Sequence, residues 1–427
     1  MAPFLELPEV PRLRLAGLTA PACFVVGATG ADGLTRLDLD IVGGRIAAAE
    51  GEPDATVETG GAFVLPAPVD MHTHLDKGHI WARTPNPDGT FESALASVGA
   101  DREACWSAED VRARMTFALE AAYAHGSRAI RTHLDSIPPQ HRISWPIFGE
   151  IKEDWAGRID LQAVNLVGID RVDDGPEFRE IAETVAAHDG VLGAVTYPVG
   201  DLDQRLDTFF QIAAELGLDA DFHTDETLDP ASATLRNIAL AVERTGFVGR
   251  VVAGHCCSLS TQTDEVAAEI IGRVADAGIH IVSLPLCNLY LQDRQAGRTP
   301  RYRGVTLVHE LKAAGVPVRF ASDNTRDPFY AYGDLDMLEV MREAWRIAHL
   351  DHSDDDWIRA FTTGPAETCG FAAAGLAPGD PADLILCRAR SWTELFARPQ
   401  FDRIVLRDGK AIDRRVPDYA RLDALME

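Results

Sequence analysis

His72-Thr73-His74 places two imidazoles two residues apart, directly after the apolar run Phe63-Val64-Leu65-Pro66-Ala67-Pro68-Val69-Asp70. On an extended strand, residues two apart point to the same side. The two rings therefore project together, about 7 Å apart along the strand, and can grip one divalent cation. Taken alone, the pair is equally compatible with two unrelated histidines. Three later stretches change that weighting. Phe222-His223, Gly254-His255 and Ser322-Asp323 each offer a further ligand where an apolar run stops. A cation held by such donors makes hydroxide available near neutral pH, which is the chemistry of hydrolysis. Glu226 follows His223 by three residues. A carboxylate there can take a proton from water and return it to a leaving nitrogen. The plainer alternative for Glu226 is an acid at a helix start.

These residues need elements that bring them together. Short apolar runs alternate with helical patterns, the mark of a parallel α/β fold. The expected strands are Phe63–Pro68, Ala129–Thr132, Leu161–Val167 and Val191–Thr196, then Ala220–Phe222, Val251–Ala253, Ile279–Leu284 and Val318–Ala321. That makes eight, the number that closes a (β/α)8 TIM barrel, whose chemistry sits at the C-terminal strand ends. Helical periodicity runs over Ala108–Ala124, Glu177–Ala187, Leu206–Leu216, Ala231–Arg244 and Asp264–Ala277. Glycines such as Gly217 and Gly246 sit where helix caps belong. His72 and His74 then follow strand one, His223 strand five, His255 strand six and Asp323 strand eight.

The chain ends read differently. Leu37–Val42 meets Gly43-Gly44 and then Arg45–Ala49, and Ile404–Arg407 turns at Asp408-Gly409 into Lys410–Ile412; both are hairpin signals. The expected organisation is a barrel over residues 64–371 and a small β-sandwich domain built from 1–63 and 372–427. Gly27–Gly33 is glycine-rich but lacks the Lys-Ser/Thr ending of a phosphate loop, and reads as a turn.

The formal net charge of the 427 residues is −26, with 66 Asp+Glu against 40 Lys+Arg. Such a surface argues against nucleic acid or anionic membrane as a partner and leaves small neutral or cationic substrates unrepelled. The residues through Arg14 carry four charges and lack the apolar core of a secretory signal, and no uninterrupted apolar stretch is long enough to span a bilayer. The seven cysteines have no framework spacing, so reduced thiols and a cytoplasmic location are expected. Cys256-Cys257 reads as packing thiols, since adjacent cysteines chelate poorly. Lysine occurs only at Lys77, Lys152, Lys312 and Lys410. Lys77 fits a surface or gating role as well as a catalytic one.

The set His-x-His, His, His and Asp, each closing a strand, resembles the metal site of the amidohydrolase superfamily. Longer stretches are similar to cytosine deaminases: Arg131-Thr132-His133-Leu134-Asp135, His223-Thr224-Asp225-Glu226, Pro285–Gln292 and Asp323–Tyr330. The resemblance implies one divalent ion, zinc or iron, held by His72, His74, His223 and Asp323, because no lysine follows strand four to bridge a second. His255 would ligate directly or act through bound water. Glu226, Asp323 and His255 would carry catalysis, with Glu226 shuttling the proton. His133, Gly168, Asn324 and Phe329 would meet the substrate.

Three of those positions depart from the family pattern. Gly168 stands where the family has a substrate-binding Gln, Asn324 replaces a second acid, and Phe329 replaces a Trp. The expected reaction is therefore hydrolytic deamination of a small N-heterocycle other than cytosine, in a homo-oligomeric enzyme. Hydrolysis of a cyclic amide or N-alkylamino ring is the alternative; a binding protein without catalysis is the distant one.

Overall fold

The computed structural model describes residues 4–30, 32–48, 51–353 and 356–427. In chain order the strands are β1 (Arg12–Pro21), β2 (Leu34–Val42), β3 (Arg45–Ala47), β4 (Ala55–Glu58), β5 (Phe63–Pro66), β6 (Val69–Thr73), β7 (Ala129–Asp135) and β8 (Asp160–Leu166). They continue with β9 (Leu192–Thr196), β10 (Ala220–Thr224), β11 (Val251–His255), β12 (His280–Ser283), β13 (Val318–Phe320), β14 (Leu384–Cys387), β15 (Ile404–Arg407) and β16 (Lys410–Ala411). Two compact units emerge. One comprises the chain up to Val69, Glu120–Ala129 and Asp336–Val416; the other comprises Asp70–Leu119, Ile130–Leu335 and Pro417–Glu427.

The second unit holds the barrel. β9 to β13 pair in sequence order, and β6, β7 and β8 form a second run. Parallel bridges join the runs on both sides, Val164 to Val191 and Gly168 to Val195 on one, Thr73 to Asp323 on the other. β10 and β11 are buried at every position, as parallel strands must be when helices cover them. All five expected helices form, with ends shifted by a few residues: Ala108–His125, Pro176–Ala187, Leu202–Leu216, Thr234–Thr245 and Asp264–Asp276. Gly217 and Gly246 close two of them at φ 68° and 64°, the left-handed conformation that suits glycine. The helix His141–Asp154 is not among those expected; it contains Pro146, and Trp145, Phe148 and Ile151 bury its inner face.

One strand assignment is corrected. Phe63–Pro66 is not the first barrel strand; it pairs antiparallel with β14, Val64 opposite Leu386, in the sheet of the chain ends. The barrel begins with Val69–Thr73. Both are short, wholly buried runs, so periodicity cannot separate them. Pro66 and Pro68, which lack an N–H, mark the break.

The first unit contains one mixed sheet in the order β16-β15-β14-β5-β1-β2-β3, with β4 also on β1. The Gly43-Gly44 and Asp408-Gly409 hairpins both belong to it; Ala49 lies outside the described residues. A bulge between Leu15 and Leu18 lets the first half of β1 pair with β4 and its later part with β5. The helix Met337–Ile347 starts where Asp336 accepts the Leu338 N–H at 3.0 Å. Among the described residues, no helix is long and apolar enough to cross a membrane.

Candidate active site

Four ligand atoms from three parts of the barrel converge. His72 Nε2 lies 3.1 Å from His223 Nε2, and His74 Nε2 lies 3.3 Å from the same atom. Asp323 Oδ1 is 3.6 Å from His72 Nε2 and 3.2 Å from His74 Nε2. Donors about 2.1 Å from a tetrahedral cation stand about 3.4 Å from one another. These four separations bracket that edge, so the residues fit one divalent ion, and His133 and His255 each offer a ring nitrogen within 4.8 Å of members of the same cluster. Burial, reinforced by neighbouring histidines, holds His72 and His223 well below the usual imidazole range; burial and Lys77 do the same for His74. The rings are thus neutral, the form that ligates. Both Asp323 oxygens are buried without a hydrogen-bond partner, and burial lifts this carboxyl to about 7. A buried carboxylate with no donor is costly, and a cation removes that cost.

The backbone explains the convergence. Asp323 N donates to His72 O at 2.8 Å, and Thr73 Oγ1 donates to Asp323 O at 2.7 Å. These bonds fasten the end of β6 to a residue 250 positions away. Ser322 N donates at 3.1 Å to the buried Asp70, as does the Ser322 hydroxyl, and burial raises Asp70 to about 6. On the β10–β11 rung His223 is opposite Gly254. A Cβ on Gly254 would come within 3.0 Å of His72 Cε1, so the missing side chain is what leaves room for the ligand ring. Asp225, His255, Cys256 and Asp323 all have positive φ, between 49° and 67°. Strained backbone of this kind collects at functional sites.

Glu226 is positioned by the turn before it. Asp225 accepts from Ser232 Oγ (2.7 Å), Thr234 N (2.9 Å) and Leu235 N (3.0 Å), tying the turn to the next helix. Glu226 Oε1 then lies 3.4 Å from His255 Nδ1 and accepts from Asn288 Nδ2 at 3.4 Å. Asn288 Nδ2 is also 3.1 Å from His255 Nδ1, leaving His255 Nε2 free of any partner. Burial and the Asp323 charge push the Glu226 carboxyl well above its ordinary range. That shift favours the acid form and suits a group that gives and takes a proton.

Above these residues opens a cavity of about 690 Å³. His74, His223, Glu226, His255, Asp323 and Asn324 line its inner end, and Phe91, Leu95, Val98 and Phe329 supply apolar wall. Gly168 also lines it. Phe329 meets Phe91 edge-on at 5.4 Å. Asn324 spends one N–H on Asp327 at 2.8 Å. His133 is not on the cavity wall where substrate contact was expected. It is fully buried, its ring 4.0 Å from that of His72, with Nε2 3.4 Å from Asp221. Strand alternation puts residue 133 on the same face of β7 as Asp135, which lines the cavity, but two residues earlier on the strand, beside the histidine cluster.

Lys77 is not at the surface. It lines the cavity, 4 % exposed, with Nζ 4.0 Å from Asp135 and 4.8 Å from the Phe329 ring centre. Burial alone would lower its pKa, but Asp135, Asp327, Asp76 and Asp323 together raise it, so it stays charged. Asn288 is a further residue the sequence reading did not single out; its only signal was its place in the Pro285–Gln292 stretch. Cys256 and Cys257 are buried packing thiols, their pKa values pushed well up by burial.

A closed eight-stranded barrel with a histidine–aspartate cluster at its strand ends defines a metal-dependent hydrolase. The family model described as "Amidohydrolase family" matches residues 166–411, and the chain belongs to that family. It is 54% identical to a pterin deaminase of Rhizobium rhizogenes over 431 aligned residues, 99% of each chain. Its fold matches a 5-methylcytosine deaminase of Klebsiella pneumoniae liganded with 5-fluorocytosine, with a TM-score of 0.79 and 25% identity over 95% of this chain and 98% of that one. An N-isopropylammelide isopropylaminohydrolase of Burkholderia multivorans matches with a TM-score of 0.74 and 26% identity, covering 94% and 98%. The chain is accordingly a hydrolase of carbon–nitrogen bonds that deaminates a small N-heterocycle, and it is metal-dependent like its family.

Proposed function

We propose that this enzyme hydrolytically deaminates a pterin, a fused bicyclic 2-amino-4-oxo heterocycle. The observation that carries the reading is the 54% identity to a pterin deaminase along 99% of both chains. In the reaction, water forms a new C–O bond at the amidine-like ring carbon, the exocyclic C–N bond breaks, and ammonia and an oxo-heterocycle leave.

His72, His74, His223 and Asp323 would hold one divalent ion, zinc or iron, since imidazole and carboxylate donors suit both. When bound, such an ion lowers the pKa of water and so supplies the nucleophile. The end of β9, Thr196-Tyr197-Pro198, has no lysine to bridge a second ion. Glu226, its carboxyl raised by burial, donates to the ring nitrogen beside the reacting carbon. It then carries a proton from water to the departing amine. Asn288 orients both Glu226 and His255, and His255 Nε2 faces the reacting region without ligating. Asn324, Phe329 and Gly168 shape the ring site, and the Lys77 ammonium meets an oxo or anionic edge. His133 backs the ring of His72.

The composite β domain and the barrel, expected as residues 1–63 with 372–427 and residues 64–371, are read with the first boundary moved to Val69, because Phe63–Pro66 pairs in the sheet of the chain ends. A cytoplasmic homo-oligomer is the working form; the seven free cysteines support a reducing compartment. Kinetics on pterin, guanine, cytosine and N-isopropylammelide, following ammonia and isopropylamine separately, test the assignment. Ammonia release with the highest kcat/KM on pterin is expected; faster release of isopropylamine, or a preference for cytosine, would overturn it.

A further inference from the structure

Gly168 shares a lateral layer with a metal-site histidine. It bridges Val195, and Val195 is paired with His223. Two strand spacings put it about 10 Å from His223 across the barrel wall. Its backbone is ordinary, at φ −66° and ψ 147°, so no conformational demand requires glycine here. Space does. A Cβ at this position would meet Tyr197 Oη at 2.5 Å and press on Asp170 Oδ1 still more closely. Those two atoms are bonded to each other: Tyr197 Oη donates to Asp170 Oδ1 at 2.5 Å. The pair stands where a side chain at 168 would otherwise reach into the cavity, and Gly168, Asp170 and Tyr197 all line it.

The pair is held in place. Arg205 Nη1 donates to Asp170 O at 2.7 Å and Val172 O at 2.9 Å, and Arg205 is itself paired with Asp201 at 2.8 Å. Burial and the Asp170 charge push the Tyr197 phenol up to about 12, so it remains a neutral donor to Asp170. With its hydrogen committed, the phenol oxygen can only accept from a ligand, and a carboxylate only accepts. A residue with an amide would have offered both a donor and an acceptor. Because the pair is at the rim, with Tyr197 38 % exposed, the space between it and the histidines stays open for a second fused ring.

We propose that the Tyr197–Asp170 pair, admitted by Gly168, is a specificity determinant that accepts hydrogen bonds from an N–H-bearing edge of a fused bicyclic substrate. The inference rests on the deaminase reading and deepens it. It identifies what takes over recognition at position 168, and why a ring larger than a pyrimidine fits.

The test compares wild type, Gly168→Ala, Tyr197→Phe and the double variant on pterin, guanine and cytosine, with bound metal measured in each. The atoms that a Cβ at 168 would displace are side-chain ends, so Gly168→Ala should fold and keep its metal while parting the pair. Each single variant is expected to raise KM for pterin about 10- to 100-fold, the value of a hydrogen bond to a charged group. kcat should change by less than about threefold, as for binding shared by ground and transition states. The double variant should be no worse than the weaker single one, because both changes remove one interaction. Unchanged KM in both single variants, losses that multiply in the double, or a fall in kcat with metal loss would overturn the proposal. If wild type ignores pterin, the substrate reading fails, and the same ratios are taken on guanine, the other fused bicycle. The pair is then decided separately.

Discussion

Glu226 Oε1 sits 3.4 Å from both His255 Nδ1 and Asn288 Nδ2. Glu226→Gln keeps its shape and removes its exchangeable acid. We expect kcat to fall about 10²–10⁴-fold, the usual worth of general acid–base help, with metal content at the wild-type level. His74→Ala should instead lose the metal. Metal analysis beside kinetics separates the two, and a metal-free Glu226→Gln protein would sink the assignment. Gly254 provides a subtler case. Its added methyl would crowd the His72 ring at 3.0–3.2 Å from Cε1 and Nδ1. Gly254→Ala should therefore weaken metal binding about 10-fold or more, as disturbed ligand orientation does. Chelator competition reads this directly, and unchanged affinity would mean the ring moves aside freely.

At the scale of elements, the site depends on strand ends being tied to distant partners, and the same device recurs at Asp336. This residue caps the helix Met337–Ile347 and pairs with the Arg403 guanidinium at 2.5 and 2.6 Å; the arginine side chain is fully buried. Burial would raise the Asp336 carboxyl, but Arg403 overcomes it and brings the pKa down to about 2. In the unfolded chain the group titrates near its ordinary value of about 3.9. Its contribution, about 2 kcal/mol, is complete above pH ~4 and is lost as pH falls toward ~2. Asp336→Asn retains a capping side chain but leaves Arg403 unpaired. Denaturant unfolding at neutral pH should show a loss of at least about 2 kcal/mol. The variant should also lack that part of the acid destabilisation. Equal acid limbs in both proteins would show that the pair carries no net stability.

For the whole molecule, a buried cluster of neutral imidazoles around an unpaired carboxylate is stabilised chiefly by a cation that the unfolded chain does not hold. A ligand at 1,000 times its Kd contributes about 4 kcal/mol. Removing the metal should lower the melting temperature by about 5–10 °C for a chain of this size, and adding zinc or ferrous ion should restore it. Calorimetry of the chelated protein checks this, and an unchanged transition would mean the cluster is self-sufficient. The acidic surface, at net −26, should also leave the enzyme without affinity for nucleic acid, which a gel-shift measurement tests.

Much of this protein was legible in its sequence because the signals are local. His72 and His74 are two apart on a strand, His223 and His255 end apolar runs, and the helices repeat with their own period. Each signal needs only the geometry of a single element. Where two buried apolar runs stood side by side, at Phe63–Pro66 and Val69–Thr73, local pattern could not say which belonged to the barrel; pairing with Leu384–Cys387 decided it. His133 carries no sign of facing the histidines rather than the cavity, and Lys77 no sign of burial, because both depend on neighbours brought from elsewhere in the chain. The same holds for Gly168. The sequence marked it as a missing side chain, but only the fold put the Tyr197 phenol and the Asp170 carboxylate into the space that side chain would have filled. Residue types and spacing determined which chemistry this chain can perform. The closed barrel decided which atoms meet, because contacts between residues as far apart as His72 and Asp323 exist only once the strands pair.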